Sequence, residues 1–529
     1  MTTIHRNRLL TAFVPLLVLS GCSADITPRP PTTVSVTIRP VLSVQKQDIV
    51  NREFWGKYTV DGAGESHIFR DDLQPGSEWT GFPRNSFLYI GHITDPHLVD
   101  FQSPDRMVQM VSPSIPGAYR PQEGFSQATF DTLMRTIASF SLFRGFDALV
   151  VTGDAADNNQ LNEIRFLIDI MDGKPVNPDT GGFPYSGDLN MCVPVRSGGV
   201  GASNPWFITP GNHDTLFQGT FALVPRTDTP EMQEQEIVTT DNYLTATGGT
   251  TRASITCQSG IIDPSRLEPA EVPPVSDRRP MTHRQMLQEF QNSITLPKGH
   301  GITADAALAD SGNYTADIGR NGVPVRLVAL DTTWSDVLDK GYLSLATVDG
   351  FLRPALDKAL SDGVIVILAS HHNTEAFSPK SEVSGAELVT LILSYPNVAI
   401  HLVGHGHTNR ITAHGTGALD GSGYWEVETS SVIDFPQQAR LLEMVYMSDG
   451  TVIVLSTIID HNSQPGSAGW VSRERSLYDV QQGVAKPGGT GESIDRNTIL
   501  PVNRLPVQIV DKLRALVYPS GVETLNFYN

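Results

Sequence analysis

Val398-Ala399-Ile400-His401-Leu402-Val403-Gly404-His405-Gly406-His407 passes within ten residues from an apolar run into two histidines set among glycines. The run has the length and composition of a buried strand. Gly404 and Gly406 let the backbone come close to a neighbour without a Cβ. An extended backbone puts His405 and His407, two residues apart, on one face. The pattern recurs upstream. Phe87-Leu88-Tyr89-Ile90 leads to Asp95-Pro96-His97, and Ala148-Leu149-Val150-Val151 leads to Gly153-Asp154. Trp206-Phe207-Ile208 leads to Gly211-Asn212-His213-Asp214, and Val364-Ile365-Val366-Ile367-Leu368 leads to His371-His372. Groups at the carboxyl ends of neighbouring strands can converge on one point. The expectation is an α/β fold with one polar site.

Helical spacing appears between the runs. Phe130, Leu133, Met134, Ile137 and Phe140 follow Ser126, an expected N-cap. Leu352, Leu356 and Leu360 mark a second helix with Pro354 in its first turn, and Pro506 introduces a third over Val507 to Val517. Ser448-Asp449-Gly450 between two apolar runs predicts a hairpin. Residues 158–204 and 216–322 are rich in Pro, Gly, Thr and Asp and read as insertions forming loops over the site. Residues 46–85 lack a period and read as an irregular lead-in, and residues 459–529 as a C-terminal extension. The domain proper is expected over residues 86–458.

The formal net charge is −19, with no basic stripe. Long polyanions such as nucleic acids are therefore poor partners, because their affinity comes from Lys and Arg neutralising phosphates. A small anionic substrate remains compatible, since bound cations can outweigh the global charge locally.

Arg6 and Arg8 precede an apolar run from Leu9 to Leu19 and then Leu19-Ser20-Gly21-Cys22. The run is too short for a mature membrane helix and fits an export signal over residues 1–21. The four residues resemble the bacterial lipobox, which implies lipidation of Cys22 and a membrane anchor of acyl chains. Ser23 after the cysteine favours, by the same resemblance, the periplasmic face of the outer membrane in a Gram-negative source. Residues 22–45 carry Pro28, Pro30 and Pro31 and read as an extended tether. Cys192 and Cys257 remain, and an even count in an exported chain points to one disulfide, worth roughly 4 kcal/mol. Two buried thiols are the other reading.

The polar clusters supply carboxylates, imidazoles and one amide, donors suited to Mn, Fe or Zn. Asp95-Pro96-His97, Gly153-Asp154-Ala155-Ala156-Asp157, Gly211-Asn212-His213-Asp214, His371 and Gly404-His405-Gly406-His407 together resemble the signature of calcineurin-like metallophosphoesterases, a superfamily that includes purple acid phosphatases and class III cyclic-nucleotide phosphodiesterases. The resemblance implies a four-layer αββα sandwich and a pair of metal ions of undecided identity. One would be held by Asp95, His97, Asp154 and His407. The other would be held by Asp154, Asn212, His371 and His405, with Asp154 shared. The implied reaction is phosphoester hydrolysis by a metal-bridging hydroxide. His213 would protonate the leaving oxygen or steady the phosphoryl charge, and Asp214 would orient it.

Asp157 stands where purple acid phosphatases carry a tyrosine ligand, so purple chemistry is not expected, and Asp157 reads as an acceptor behind a ligand. His372 is open between substrate contact and a structural role, and Arg410 between a phosphate contact and a surface salt bridge. His67, His92, His283, His300, His401, His414 and His461 match no motif and read as ordinary histidines. A non-catalytic binding lipoprotein that kept the fold is the competing function. Lost ligands would mark it, and none of the seven is missing.

Overall fold

The computed structural model describes residues 38–42 and 54–517, apart from 63, 79–80, 105, 107, 109–110, 115, 142–143, 181–190, 222–223, 226–234, 237–250, 254–269, 335–337, 418–420 and 503. Cys22 and Cys257 lie outside the described residues, as does the export signal. Cys192 is buried and disulfide-bonded. No helix among the described residues is long and apolar enough to cross a membrane.

The chain builds half of one sheet, all of a second, and then returns to finish the first. It lays down β1 (Ile68–Phe69), β2 (Pro83–Ile93), β3 (Ala148–Val151) and β4 (Trp206–Ile208). It then forms β5 (Tyr314–Asp317), β6 (Val325–Ala329), β7 (Ile365–Ala369), β8 (Val398–Val403), β9 (Arg410–Gly415) and β10 (Gly423–Glu428). β11 (Gln438–Met447), β12 (Val452–Asp460) and β13 (Thr498–Val502) complete the first sheet. The first sheet runs β1-β13-β12-β11-β2-β3-β4, and the second β5-β6-β7-β8-β10-β9. The strands that precede the polar clusters are parallel neighbours: β2, β3 and β4 in one sheet, β7 and β8 in the other.

The principal helices are α1 (Ser126–Ser141), α2 (Leu161–Asp172), α3 (Arg353–Asp362), α4 (Gly385–Leu393), α5 (Ala468–Gln482) and α6 (Val507–Val517). Period-two alternation in the second sheet separates two cores. Val325, Leu327, Ala329, Ile365, Ile367 and Ala369 join Leu88, Ile90 and Leu149 of the first sheet in one core. Val328, Val366 and Leu368 face Leu356 and Ala359 of α3 and Leu388 and Ile392 of α4 in the other. With α1 and α2 packed in the larger core, the architecture is an α/β sandwich. Because strands such as β7 and β8 are buried throughout, they read as continuous apolar runs instead of alternating ones.

Four expectations change. Ser126 is the first residue of α1, not its cap, because the preceding turn Glu123–Phe125 is already helical and Ser126 keeps helical dihedrals. Its Oγ instead accepts the amide of Val99 at 3.3 Å. Residues 158–204 are not all insertion: α2 buries Leu161, Ile164, Leu167, Ile168 and Met171 in the main core. Residues 216–322 likewise contribute β5 to the second sheet. The tether and lead-in form short strands, Ile38–Pro40 against Tyr58–Val60, and β1 beside β13. Strands of two or three residues are too short to leave a period.

Candidate metal centre

Each polar cluster lies just past a strand end, at the edge where the two sheets meet. The backbone there is bent into the left-handed region at Asp95 (φ 51°), His97 (φ 43°), Asp154 (φ 53°), His405 (φ 70°) and His407 (φ 55°). Such conformations cost about 1–3 kcal/mol each for residues with a Cβ and cluster at functional sites. The glycines between them are required by contact. A Cβ on Gly404 would lie 1.9 Å from Thr94 Oγ1, one on Gly406 1.9 Å from Glu428 Oε1, and one on Gly211 2.2 Å from Asp154 Oδ1.

The seven expected donors come together in two adjoining groups. In the first, His407 Nε2 lies 3.2 Å from both His97 Nε2 and Asp95 Oδ1, and His97 Nε2 lies 3.5 Å from Asp154 Oδ2. In the second, His371 Nε2 lies 3.2 Å from the same Asp154 Oδ2 and 3.0 Å from Asn212 Oδ1, which is 3.2 Å from His405 Nδ1. Donors about 2.0–2.2 Å from a common ion stand roughly 3.0–3.4 Å apart in octahedral or tetrahedral arrays. Five of the six spacings fall in that range, and His97 Nε2 to Asp154 Oδ2, at 3.5 Å, lies just beyond it.

The hydrogen-bond inventory makes the same point. His97 Nδ1 faces the Asp157 carboxylate at 3.0 Å, and His407 Nδ1 faces the Asp434 carboxylate at 2.7 Å. Each carboxylate can only accept, so Nδ1 carries a proton in both rings and Nε2 is the atom each ring turns toward the other. His371 Nδ1 donates to the Thr152 carbonyl at 2.7 Å, and Asn212 Nδ2 donates to the Gly219 carbonyl at 2.9 Å. Their remaining atoms, His371 Nε2 and Asn212 Oδ1, face one another at 3.0 Å, and both offer lone pairs once the imidazole sheds its second proton. Asp95 Oδ1 is buried without a hydrogen-bond partner. Lone pairs gathered this way call for a divalent cation.

Protonation reflects the same surplus of negative charge. Burial pushes the Asp154 carboxyl up, but His371 and His213 override it and hold it well below the usual carboxylate range. Burial would depress His371 and His407, yet Asp154 holds the first up at about 9 and Asp95 with Asp434 the second at about 10. A cation entering the site displaces those protons.

His213 lines a cleft of about 340 Å³ above the donors, together with Asp154, Asn212, His405 and His407. Its Nδ1 donates to the Asp157 main-chain carbonyl at 2.7 Å, and its amide donates to Asp154 Oδ1 at 2.8 Å. The expectation that Asp214 orients His213 is not met. Asp214 lies in the first turn of the short helix Asn212–Thr215, where its carboxylate accepts the amides of Gly211 and Ala156, both at 2.9 Å. It braces the Asn212 turn against the Asp154 loop, and the Asp157 carbonyl holds the His213 ring. Arg410 is tied to Glu375 at 2.6 Å and Glu428 at 3.1 Å and does not line the cleft. His372 is fully buried; its Nδ1 meets Thr332 Oγ1 at 2.8 Å, and its ring packs 4.7 Å from that of His405.

Sequence reading missed the residues behind the donors. Arg120 joins Asp157 (3.0 Å) to Asp434 (3.3 Å), linking the partners of His97 and His407. Gly219, at φ 63°, lies so close to the His213 ring that a Cβ would stand 2.1 Å from it. Neither Arg120 nor Asp434 belongs to a periodic run, and their only sequence signal is a charge in an otherwise apolar or turn-like stretch.

A family model described as calcineurin-like phosphoesterase matches residues 88–409, from β2 to just beyond His407. No curated protein matches the chain. Among solved structures, one titled "GAP50 the anchor in the inner membrane complex of Plasmodium" is similar at 8% identity, covering 73% of this chain and 94% of that one. Its TM-score of 0.25 is too low to carry an argument. The family match spans more than half of the sequence and every donor described above, and on it the chain belongs to the calcineurin-like phosphoesterase family.

Proposed function

We propose that the protein hydrolyses a phosphoester with two metal ions, one in each donor group, sharing Asp154. The observation that carries this reading is the single oxygen, Asp154 Oδ2, standing 3.5 Å from His97 Nε2 and 3.2 Å from His371 Nε2. Two cations there supply charge neutralisation for a phosphoryl group and lower the pKa of water. The chain's own residues do the rest. His97 and His407 are held by carboxylates behind them, which fixes their tautomers and raises their basicity. His213 faces the cleft with its ring locked by the Asp157 carbonyl. Burial holds it neutral, near a pKa of about 4, and an arriving phosphate dianion favours its protonated form. It then delivers that proton to the leaving oxygen.

The test is a panel of aryl phosphate mono- and diesters on apo protein reloaded with Mn, Fe or Zn. Asp154→Ala lowers kcat by two orders of magnitude or more, the scale of several kcal/mol of lost charge stabilisation. His213→Ala leaves metal content unchanged and slows turnover about 100-fold or more, most for poor leaving groups. Equal slowing across leaving groups contradicts the proton-donor role. Bound metal with no turnover on any ester favours the non-catalytic lipoprotein instead. The reading also includes export and lipid anchoring at Cys22. Radiolabelled fatty acid is expected in the wild type and absent from Cys22→Ser, and label in both would refute the anchor.

A further inference from the structure

Among the described residues, the cleft lining carries three cationic side chains: Arg120, Lys340 and Lys486. Arg120 is spent on Asp157 and Asp434. Among the described residues, Lys340 pairs only with the adjacent Asp339, at 3.5 Å, and both are about half exposed. A surface pair of this kind holds its partners weakly. Lys486 is exposed, and its ammonium makes no ion pair or hydrogen bond among the described residues.

Both lysines are carried on backbone that is docked beside the donors. Lys486 lies on the strap that follows α5. The strap's Gly489 carbonyl accepts the Asn409 amide at 3.0 Å. A Cβ on Gly489 would stand 2.3 Å from the Phe435 carbonyl oxygen and 3.0 Å from that of His407. The strap is therefore pressed onto the His407 loop. Lys340 precedes Gly341, where a Cβ would lie 2.9 Å from the His372 side chain. Gly341 is fixed by its amide on the Ala376 carbonyl at 3.0 Å and its carbonyl on the Ser378 amide at 2.8 Å. One lysine thus flanks the His407 group and the other the His371 and His372 pair.

Of the acids in the cleft, only Asp339 pairs with either lysine among the described residues. Asp434 is committed to His407, Arg120 and Gln122. Burial, helped by Asp434, pushes the Asp479 carboxyl up to about 8, which favours its uncharged form. In a chain of net charge −19, one unpaired and one weakly paired ammonium group at the rim form a local exception to a field that repels anions. The cleft volume of about 340 Å³ is at the small end for small-molecule sites, about 300–1,000 Å³.

Building on the hydrolytic reading, we propose that Lys486 and Lys340 recognise a second anionic group on the substrate, so that the cleft selects phosphoesters whose leaving portion bears a further carboxylate or phosphate. The matched probes are 4-(carboxymethyl)phenyl phosphate and its neutral methyl ester, similar in size and, with a methylene insulating the ring, in leaving-group chemistry. On metal-loaded full-length protein at low salt, the carboxylate is expected to have the higher kcat/KM by about fivefold, the upper end for an exposed ion pair. The difference lies mainly in KM and shrinks in 0.5 M salt. Lys486→Ala brings the ratio to within twofold of one, Lys340→Ala lowers it, and Lys486→Arg preserves it. Calorimetric titration with inorganic pyrophosphate and phosphate gives the second readout: Lys486→Ala weakens pyrophosphate binding more than phosphate binding. Equal kcat/KM for the two esters, or a preference untouched in the double alanine variant, overturns the proposal. If neither monoester turns over, the mono- and diester panel decides the hydrolytic reading and the pyrophosphate titration decides the lysines, with equal weakening of both anions counting against them.

Discussion

At the scale of single residues, the site is defined by acceptors that face one another. Each imidazole in the first donor group has its outer nitrogen committed to a carboxylate, so its inner nitrogen, once deprotonated, presents a lone pair for a cation. Asp434 is the clearest example, because its oxygens serve His407 at 2.7 Å and Arg120 at 3.3 Å at once. Asp434→Asn keeps the shape and removes the charge. It is expected to weaken cation binding at the His407 group by about 10–100-fold while sparing the second group. A chelator competition titration measures this, and unchanged affinity would show that Asp434 serves packing alone. The seven donors were legible in the sequence because each stands beside a glycine, a proline or, for His371, a second histidine at the end of an apolar run. Asp434 and Arg120 were not, because their role depends on which charge lies opposite them in space. Asp214 was misread for a related reason: its place in the first turn of a four-residue helix fixes its partners, and adjacency to His213 says nothing about contact.

At the scale of elements, the strands before each cluster could be read from composition, whereas α2 and the strands outside residues 86–458 could not. A loop-like Pro and Gly content hid the spacing of Leu161, Ile164, Leu167 and Met171. Residues read as insertion are also anchored more firmly than their composition implies. His283, taken as an ordinary histidine, opens the helix His283–Glu289 and bridges Asp310 at 3.0 Å to Asp331, just past β6, at 2.9 Å. Burial lowers its pKa, but the two carboxylates override that and hold it up at about 10, against 6.5 in the unfolded chain. The stabilisation is therefore complete below about pH 6.5 and is lost as pH rises through about 10. The wild type is expected to lose more Tm between pH 7 and pH 10 than His283→Gln, whose neutral side chain cannot titrate. Parallel losses in the two proteins would rule out the bridge. The ring remains 24% exposed, so the effect is a shift in slope and not a collapse.

At the scale of the whole molecule, the donors belong to two sheets and the cleft to the entire chain. β2, β3 and β4 bring Asp95, His97, Asp154 and Asn212 from one side, and β7 and β8 bring His371, His405 and His407 from the other. The chain's return through β11, β12 and β13 closes the first sheet, and the strap after α5 then forms part of the cleft wall. A reading that stops at residue 458 finds the seven donors but omits part of the cleft wall. The central claim is that two cations share Asp154 between these halves. Its most direct test is to load apo protein with Mn(II) or Zn(II), count ions per chain by elemental analysis, and locate them by anomalous diffraction. The account predicts two ions per chain about 3.5–4 Å apart on either side of Asp154, and a lower count in Asp154→Ala. One ion per chain, or two bound away from the seven donors, would contradict it.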